Sequence, residues 1–539
     1  MTTAAAPKEV TLTIDERPAK VPPGTTILEA AKTVGVRIPH FCYHKCLSIA
    51  ANCRMCLVEV EKSPKLVPAC HGRVAEGMVV RTTTPKVKKA QQAVMEFLFI
   101  NHPVDCPICD QAGECKLQDY FMEFQKQLSR FKEEKVEKAK AQPIGPYIVY
   151  DAERCILCTR CVRFMAEIAK DPQLAPVGRG DRSCISTAPG RKLDHPYSLN
   201  TVDICPVGAL TSREFRFKMR TWFLSNADSI CTGCSRGCSV VLQHHQGTAH
   251  RYLARENPLV NDSWLCDDGR LGYRRINDHR LKDAAERKGN EMLTLAYDEA
   301  VKQAGQTLLE DRGSIGVAIS PQVTCEDAFA LMRFCADILG VREIHLTGRA
   351  DWAPDNLLKR ADANPNRRGI SEIAAALGMK VFDVHALIKA AQNGAFETLL
   401  AVGADVPDDI PEILDLKKFE TVIVLAERTR GIFEVGDLAI PLAVHAEQDG
   451  TMVNAEGLVQ RVRPMGRQKN RAVPAWKALS DVAGRMEREF RFAGPDAVFA
   501  ALAEAVPFFG GMSHASIPAH GAWGAGAAPP ERKPLCTPR

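Results

Sequence analysis

The sequence predicts a multidomain chain of α/β and α+β class, with a cysteine-rich N-terminal half and an α/β layer after it. The chain has 539 residues, enough for three or more domains. Fifteen of its twenty cysteines fall into four groups before residue 267. From about residue 280, helical patterns alternate with short apolar runs, as in an α/β layer.

In order along the chain, residues 1–85 read as a small mixed α/β domain. Val10 to Ile14 alternates like a strand, and Thr26-Ile-Leu-Glu29 is a capping box that starts a helix ending near Gly35. Cys56 to Val60 and Met78 to Thr83 read as strands. A second domain, 86–145, opens with helical periodicity from Lys86 to Ile100. Gln125 to Gln142 is highly charged and reads as a solvated helix or linker, broken by Pro143 and Gly145-Pro146. Domains at 146–223 and 224–280 carry the third and fourth cysteine groups, with an exposed turn from Gly190 to Pro196. Within 281–505, Gly316 to Ser320 and Thr421 to Ala426 read as buried strands, and Glu326 to Leu339 and Glu372 to Leu377 as helices. Residues 506–539 end in a Gly-, Ala- and Pro-rich stretch and are expected to be a disordered tail.

No run approaches the roughly 18 apolar residues that span a bilayer. Met1 to Val10 lacks a charged-then-apolar signal pattern. We therefore expect a cytoplasmic, reducing compartment, where clustered cysteines serve as metal ligands or catalytic groups rather than structural disulfides. The formal charge of +5 is too small for a nucleic-acid binder.

The first group is Cys42, Cys53, Cys56 and Cys70, four thiolates suited to a [2Fe–2S] rhombus, with Cys46 competing for the place of Cys42. The second is His102, Cys106, Cys109 and Cys115, in a loop marked by Pro103, Pro107 and Gly113. Three thiolates and an imidazole suit tetrahedral zinc or a [4Fe–4S] cluster, and spacing does not separate the two. The third is Cys155, Cys158 and Cys161 followed by Cys205-Pro206, the bacterial ferredoxin triplet with its distant Cys-Pro. A second ferredoxin cluster would need cysteines where Met165, His195, Ser198 and Thr201 stand, so a ferredoxin fold with one [4Fe–4S] cluster is expected, and Cys184 is a bystander. The fourth is Cys231, Cys234, Cys238 and Cys266, with Gly233 and Gly237 letting three thiolates converge; a four-thiolate zinc site is the alternative. Four clusters, one His-ligated, would add a charge of about −7 and bring the protein near neutrality. With every set complete and no iron left open, the expected role is one-electron relay, with no catalytic residue.

Phe41-Cys-Tyr-His44, Asn52-Cys-Arg-Met-Cys-Leu-Val-Glu-Val60, Asn101-His-Pro-Val-Asp-Cys-Pro-Ile-Cys-Asp-Gln111 and Cys205-Pro-Val-Gly-Ala-Leu210 resemble the large iron–sulfur subunit of bacterial respiratory complex I (NADH:quinone oxidoreductase). The resemblance implies a β-grasp [2Fe–2S] ferredoxin domain, a His/Cys-ligated [4Fe–4S] domain, a ferredoxin-like domain, and a [4Fe–4S] domain of the kind that precedes molybdopterin folds. It leaves Cys46 free and assigns His102, Cys106, Cys109 and Cys115 to a [4Fe–4S] cluster. One [2Fe–2S] and three [4Fe–4S] clusters are then expected, the one at Cys231, Cys234, Cys238 and Cys266 lying off the main path.

The resemblance also implies partners. Electrons would arrive from an FMN/NADH-binding subunit and pass the Cys42 set, then the Cys155 set, then the His102 set. They would leave to a two-cluster ferredoxin-like subunit, among other peripheral-arm subunits, on the cytoplasmic side of the inner membrane. Membrane contact would come only through the complex. After Cys266 the chain resembles a reduced molybdopterin oxidoreductase domain: Leu399 to Asp405 its strand and glycine turn, and Glu447 to Gly457 with Gln460-Arg461 its late segment. We read these as core and turn residues and expect no molybdopterin. Neither Cys325 nor Cys335 is followed by His, unlike the metal-ligand Cys of formate dehydrogenases. An NAD-linked formate dehydrogenase subunit, a soluble hydrogenase subunit and a zinc scaffold are the rival readings.

Overall fold

The computed structural model describes residues 9–124, 129–403, 411–466, 471–531 and 534–536. They divide into two units, one of residues 1–223 with 535–539 and one of residues 224–534.

The first unit opens on a hairpin of β1 (Val10–Ile14) and β2 (Arg17–Val21), turned by Asp15 and Glu16 at positive φ. Helix α1 (Ile27–Thr33) is capped by Thr26, whose Oγ1 accepts from Glu29 N at 3.2 Å. Glu29 turns its carboxylate to Lys32 Nζ at 2.7 Å, so the expected capping box closes on one side only. With β3 (Leu57–Val60), β4 (Val67–Pro68) and β5 (Met78–Arg81), a five-stranded sheet forms in the order β2-β1-β5-β3-β4. Leu12, Ile14, Val58 and Val80 pack from it against Leu28 and Ala31 of α1.

Helix α2 (Pro85–Phe99) starts at Thr84, whose side chain accepts from Val87 N, with Pro85 at the first position, where its missing N–H costs nothing. A loop carries the second cysteine group to α3 (Lys116–Phe124). Of the charged stretch 125–142, residues 125–128 lie outside the described residues and 129–141 form no helix. Lys135 from that stretch reaches back, its Nζ donating to the carbonyls of Phe99 at 2.7 Å, Ile100 at 3.1 Å and His102 at 2.7 Å. It thereby covers the open carbonyl end of α2.

Strands β6 (Gln142–Pro143) and β7 (Ile148–Tyr150), helix α4 (Arg160–Glu167), the pair β8 (Ala175–Val177) and β9 (Cys184–Ser186), α5 (Asn200–Asp203) and β10 (Leu210–Ser212) complete the unit. Met165, Ser198 and Thr201, where a second ferredoxin cluster would bind, are fully buried as packing residues.

The second unit begins with an antiparallel meander, β11 (Ser225–Ile230), β12 (Ser239–His245) and β13 (Thr248–Ala254), then α6 (Asp267–Leu271) and α7 (Arg274–Asn277). Its centre is an eight-stranded sheet. The hairpin β14 (Ala284–Lys288) and β15 (Glu291–Leu295) forms one edge. After α8 (Tyr297–Glu310) comes β16 (Ile315–Ile319). Helix α9 (Cys325–Arg333) follows and runs into a π-helical turn, Phe334–Leu339. Next are β17 (Glu343–Leu346), α10 (Arg367–Ala376), β18 (Lys380–Asp383) and α11 (Val384–Gln392). Strands β19 (Thr398–Val402), β20 (Thr421–Ala426) and β21 (Leu438–Pro441) complete a parallel run in the order β21-β20-β19-β16-β17-β18. Val317 and Ile319 of β16 enter one core and Ala318 the other; Leu400 and Leu399 of β19 divide likewise. Both faces are therefore covered, which is why these strands read as continuous apolar runs.

A smaller sheet of β22 (Gly450–Val453) and β23 (Leu458–Val462) is followed by α12 (Ala475–Arg485) and α13 (Pro495–Ala505), and closed by β24 (Ala522–Trp523).

The expectation of a disordered tail over 506–539 needs correction. Phe508, Phe509, His514 and Ile517 are buried. A Cβ on Gly524 would meet the Phe508 ring at 2.0 Å, and one on Gly457 would meet Ala527 at 2.7 Å. Gly524, one of the glycines that made the stretch look disordered, lies where backbone and an aromatic ring approach too closely for a side chain. Residues 532–533 and 537–539 lie outside the described residues, as do Ala404 and Asp405.

Candidate metal-cluster centres

Cys42, Cys53, Cys56 and Cys70 come together between α1 and the edge of the five-stranded sheet. Ala51 and Arg54 take positive φ to turn the loop, and Cys42 N donates toward Cys53 Sγ at 3.5 Å. The Cys42 side chain bonds those of Cys53 and Cys70, and Cys70 also bonds Cys56. Those thiol contacts hold Cys42 well below the ordinary thiol range and push Cys53 and Cys70 above it. Four sulfurs this close cannot all ionise unless positive charge lies among them, which is the condition a metal cluster meets.

Cys155, Cys158, Cys161 and Cys205 line one cavity with Tyr150, Ile185, Val207 and Leu210. Leu157 and Thr159 at positive φ coil the triplet before α4 begins. Burial pushes the Cys158 thiol up to about 11 and Cys205 up to about 12. Thr159 and Arg160 also line it, and the rest of the wall is largely apolar, so a bound cluster would be shielded from water.

Two arginines of α4 tie this site to the Cys42 loop. Arg163 Nη2 donates to the carbonyls of Cys42 at 2.6 Å and Cys158 at 3.2 Å. Arg160 Nη2 donates to Tyr43 O, and its Nη1 to Ile204 O at 3.2 Å. Ser48 N donates to Glu167 Oε2 at 2.8 Å. Nothing in the sequence marked these residues apart from surface charge on a helix.

The other side of the ferredoxin-like site meets the second group. Lys116 N donates to Pro206 O at 3.1 Å. A Cβ on Gly208 would lie 2.3 Å from Cys109 Sγ. Arg154, almost fully buried, grips Asp105 through Nε at 3.0 Å and Nη2 at 2.5 Å. Cys106, Cys109 and Cys115 lie within electrostatic reach of one another, and burial pushes Cys115 up to about 11. His102 Nδ1 is buried with no hydrogen-bond partner. Burial also lowers the imidazole to about 4, keeping it neutral as a ligand must be. An orphaned neutral nitrogen in the loop that carries Cys106, Cys109 and Cys115 fits a mixed-ligand metal centre.

In the second unit, Cys231, Cys234, Cys238 and Cys266 line a cavity closed by Trp352, Leu358 and Lys359. Gly233 N donates to Cys231 Sγ and Gly269 N to Cys266 Sγ, both at 3.3 Å. A Cβ on Gly269 would lie 2.9 Å from Cys231 Sγ and 3.1 Å from Cys266 Sγ. The 447–461 segment braces this loop. Gln460 Nε2 donates to Gly237 O at 3.0 Å, Ala455 N to Ser235 O at 2.8 Å, and Glu456 pairs with Arg236 at 3.0 Å. The core-and-turn reading of this segment missed that support. Among the described residues no three His, Cys, Asp or Glu side chains converge on a site for one bare ion.

Residues 7–85 match the 2Fe-2S iron-sulfur cluster binding domain family. Residues 91–130 match the NADH-ubiquinone oxidoreductase-G iron-sulfur binding region, and 145–211 the ferredoxin-like domain of NADH-quinone oxidoreductase subunit 3. The NADH-quinone oxidoreductase G subunit of Streptomyces coelicolor is 37% identical over 84% of this chain and 55% of that protein. That of Rickettsia bellii is 43% identical over 54% of this chain and 43% of that protein. The chain is thus similar to the G subunits of NADH-quinone oxidoreductases over most of its own length. It spans about half the length of the curated relatives it matches. A solved structure of NAD+-reducing [NiFe]-hydrogenase is 31% identical over 39% of this chain and 90% of that one, with a TM-score of 0.35. The chain carries 2Fe-2S and 4Fe-4S binding domains in a mixed α/β multidomain fold.

One sequence expectation fails here. Cys46 is not free, and the expected absence of disulfides does not hold: Cys46 is bonded to Cys536, with Cα atoms 4.3 Å apart across a sequence separation of 490. Local spacing carries no sign of a pairing at that distance. Cysteine clustering marks Cys46 only as a competitor for the place of Cys42, and it does not mark Cys536.

Proposed function

We propose that this chain is an electron-relay subunit of an NADH:quinone oxidoreductase, with no substrate-converting site of its own. Its proposed ligand sets are Cys42, Cys53, Cys56 and Cys70 for a [2Fe–2S] cluster, and His102 with Cys106, Cys109 and Cys115 for a [4Fe–4S] cluster. Cys155, Cys158, Cys161 and Cys205, and separately Cys231, Cys234, Cys238 and Cys266, would hold two further [4Fe–4S] clusters. Such clusters, when bound, exchange one electron at a time.

The observation that carries the reading is spatial order in the first unit. Arg163 joins the Cys42 loop to Cys158, and Gly208, beyond Cys205, abuts Cys109. The ferredoxin-like set thus has contacts to both of the others, which supports a relay that passes through it, out of chain order, from the first set to the His102 set. The chain's own residues bury the sulfurs, keep His102 neutral and place backbone N–H groups on the fourth set.

The proposed partners are an FMN/NADH-binding subunit and a two-cluster ferredoxin-like subunit of the peripheral arm, at the cytoplasmic face of the membrane. No helix among the described residues is long and apolar enough to cross a membrane. The six parallel strands covered on both faces support a reduced molybdopterin-oxidoreductase-like fold for the 281–505 region, and the first sheet supports a β-grasp. Iron and acid-labile sulfide analysis with EPR of the dithionite-reduced protein tests the reading. One [2Fe–2S] and three [4Fe–4S] signals are expected; a colourless zinc-loaded protein, or stoichiometric molybdenum or tungsten, would overturn it.

A further inference from the structure

We infer that Cys46 and Cys536 form a reversible thiol–disulfide clamp, set by a small-molecule disulfide such as oxidised glutathione, that fastens the segment carrying Cys536 to the loop carrying Cys42. The inference goes beyond the relay reading, because neither cysteine belongs to a proposed ligand set.

Cys46 lies four residues after Cys42, on the loop that leads to Cys53 and Cys56. That loop is held at two places by α4: Arg160 and Arg163 take the carbonyls of Tyr43 and Cys42, and Glu167 takes Ser48 N. Between those anchors Cys46 N donates to His44 Nδ1 at 3.2 Å and Leu47 N to His44 O at 3.0 Å, forming a tight turn. The disulfide to Cys536 is the covalent anchor on this turn. It brings residues 535–536 into the first unit, although the chain between 224 and 534 belongs to the second. Cys46 is only 4% exposed, whereas Cys536 is half-buried.

That difference in access sets the order of steps. The Cys536 thiolate attacks one sulfur of the small disulfide, forming a mixed disulfide and expelling one thiolate, which takes up the proton Cys536 lost. The Cys46 thiolate then attacks the Cys536 sulfur, forming the internal bond and expelling the second small thiol with the proton from Cys46. Two protein thiols are oxidised by two electrons, and one small disulfide is reduced to two thiols. An excess of reduced thiol drives the same steps backwards. Opening removes the covalent anchor between Tyr43 and Ser48, so the loop holding Cys42 should open more readily.

The test uses the full chain in its membrane complex, equilibrated with mixtures of reduced and oxidised glutathione, alkylated, digested and examined by mass spectrometry. The expected result is a linked peptide containing Cys46 and Cys536 that disappears in excess reduced glutathione and returns in the oxidised mixture. Complete alkylation of both cysteines in the oxidised mixture, or linkage of Cys46 to another cysteine, would overturn the pairing. A second measurement follows loss of visible absorption to an iron chelator in oxidised wild type, reduced wild type and Cys536→Ser. Loss should be several-fold faster in the last two and equal between them; equal rates in all three would overturn the clamp. The linked peptide needs no bound cluster, so this inference and the relay reading fail separately.

Discussion

At Gly208, a single hydrogen separates two sulfur-rich loops. The residue has ordinary negative φ, so its backbone needs no glycine; the need is steric. A Cβ there would lie 2.3 Å from Cys109 Sγ and 3.1 Å from Gln111 Cβ, far inside van der Waals separation. Cys109 is 8% exposed, so its sulfur has little space in which to retreat. Gly208→Ala should cost about 1–3 kcal/mol through overpacking and displace Cys109. We expect the EPR signal of the His102 set to weaken or shift, with that of the Cys42 set unchanged. Unchanged spectra at both sites would mean that the two loops do not meet in the holoprotein. The sequence displayed Cys205-Pro-Val-Gly-Ala-Leu210 as a motif, but the reason for its glycine lies on a loop about a hundred residues away.

At the scale of elements, helix α9 carries a buried acid that needs a partner from far along the chain. Glu326 is completely buried; its Oε2 accepts from Thr451 N at 2.8 Å and its Oε1 from Thr451 Oγ1 at 3.0 Å. His514 Nε2 lies 2.7 Å from Glu326 Oε1, and its Nδ1 2.7 Å from Asp496 Oδ1. Burial alone would lower the imidazole, but its hydrogen bonds to Glu326 and Asp496 and the charge of Glu326 outweigh that and raise it. A raised folded-state value means that the contribution is complete below the unfolded value of about 6.5 and is lost as pH rises through the folded one. Asp327 beside it is raised to about 6 by burial, so it too loses stability as pH rises, mostly below the unfolded imidazole value. Urea unfolding followed in the second unit should therefore show stability falling as pH rises above the unfolded imidazole value of about 6.5, and His514→Gln should remove most of that slope. His514→Ala should cost about 3–5 kcal/mol at low pH, because it strands the Glu326 charge. A slope unchanged in His514→Gln would refute the assignment. The strands and helices of this unit were legible because apolar runs and helical periods are local. The His514 contact was hidden because composition, not pattern, governed the reading of 506–539. The four cysteine sets were legible from spacing, whereas Arg163, Lys135 and Cys536 act across distances that spacing does not encode.

At the scale of the molecule, the two units place different demands on their cysteines. In the first, the proposed relay runs through the ferredoxin-like set, which Arg163 and Gly208 join to the other two, so loss of that middle set should interrupt the relay rather than weaken it. Cys158 belongs to that middle set and shares Arg163 with the Cys42 loop. Cys158→Ala should bring NADH-to-quinone turnover in membranes down to background while the complex still assembles, because the arginine contact uses the backbone carbonyl of residue 158 and survives the substitution. In the second unit, the Cys234 loop is held by its own surroundings: Gln460 on Gly237, Ala455 on Ser235 and Glu456 on Arg236. These contacts reach β23 and the segment between it and β22, so a loop left without its ligand set should disturb the packing of that unit. Cys234→Ala should therefore lower the amount of assembled complex, with turnover per assembled complex close to wild type. Immunodetection on native gels beside turnover in the same membranes measures both quantities. Equal turnover losses with normal assembly in the two variants would place the Cys231–Cys266 set on the electron path and remove the distinction between the units.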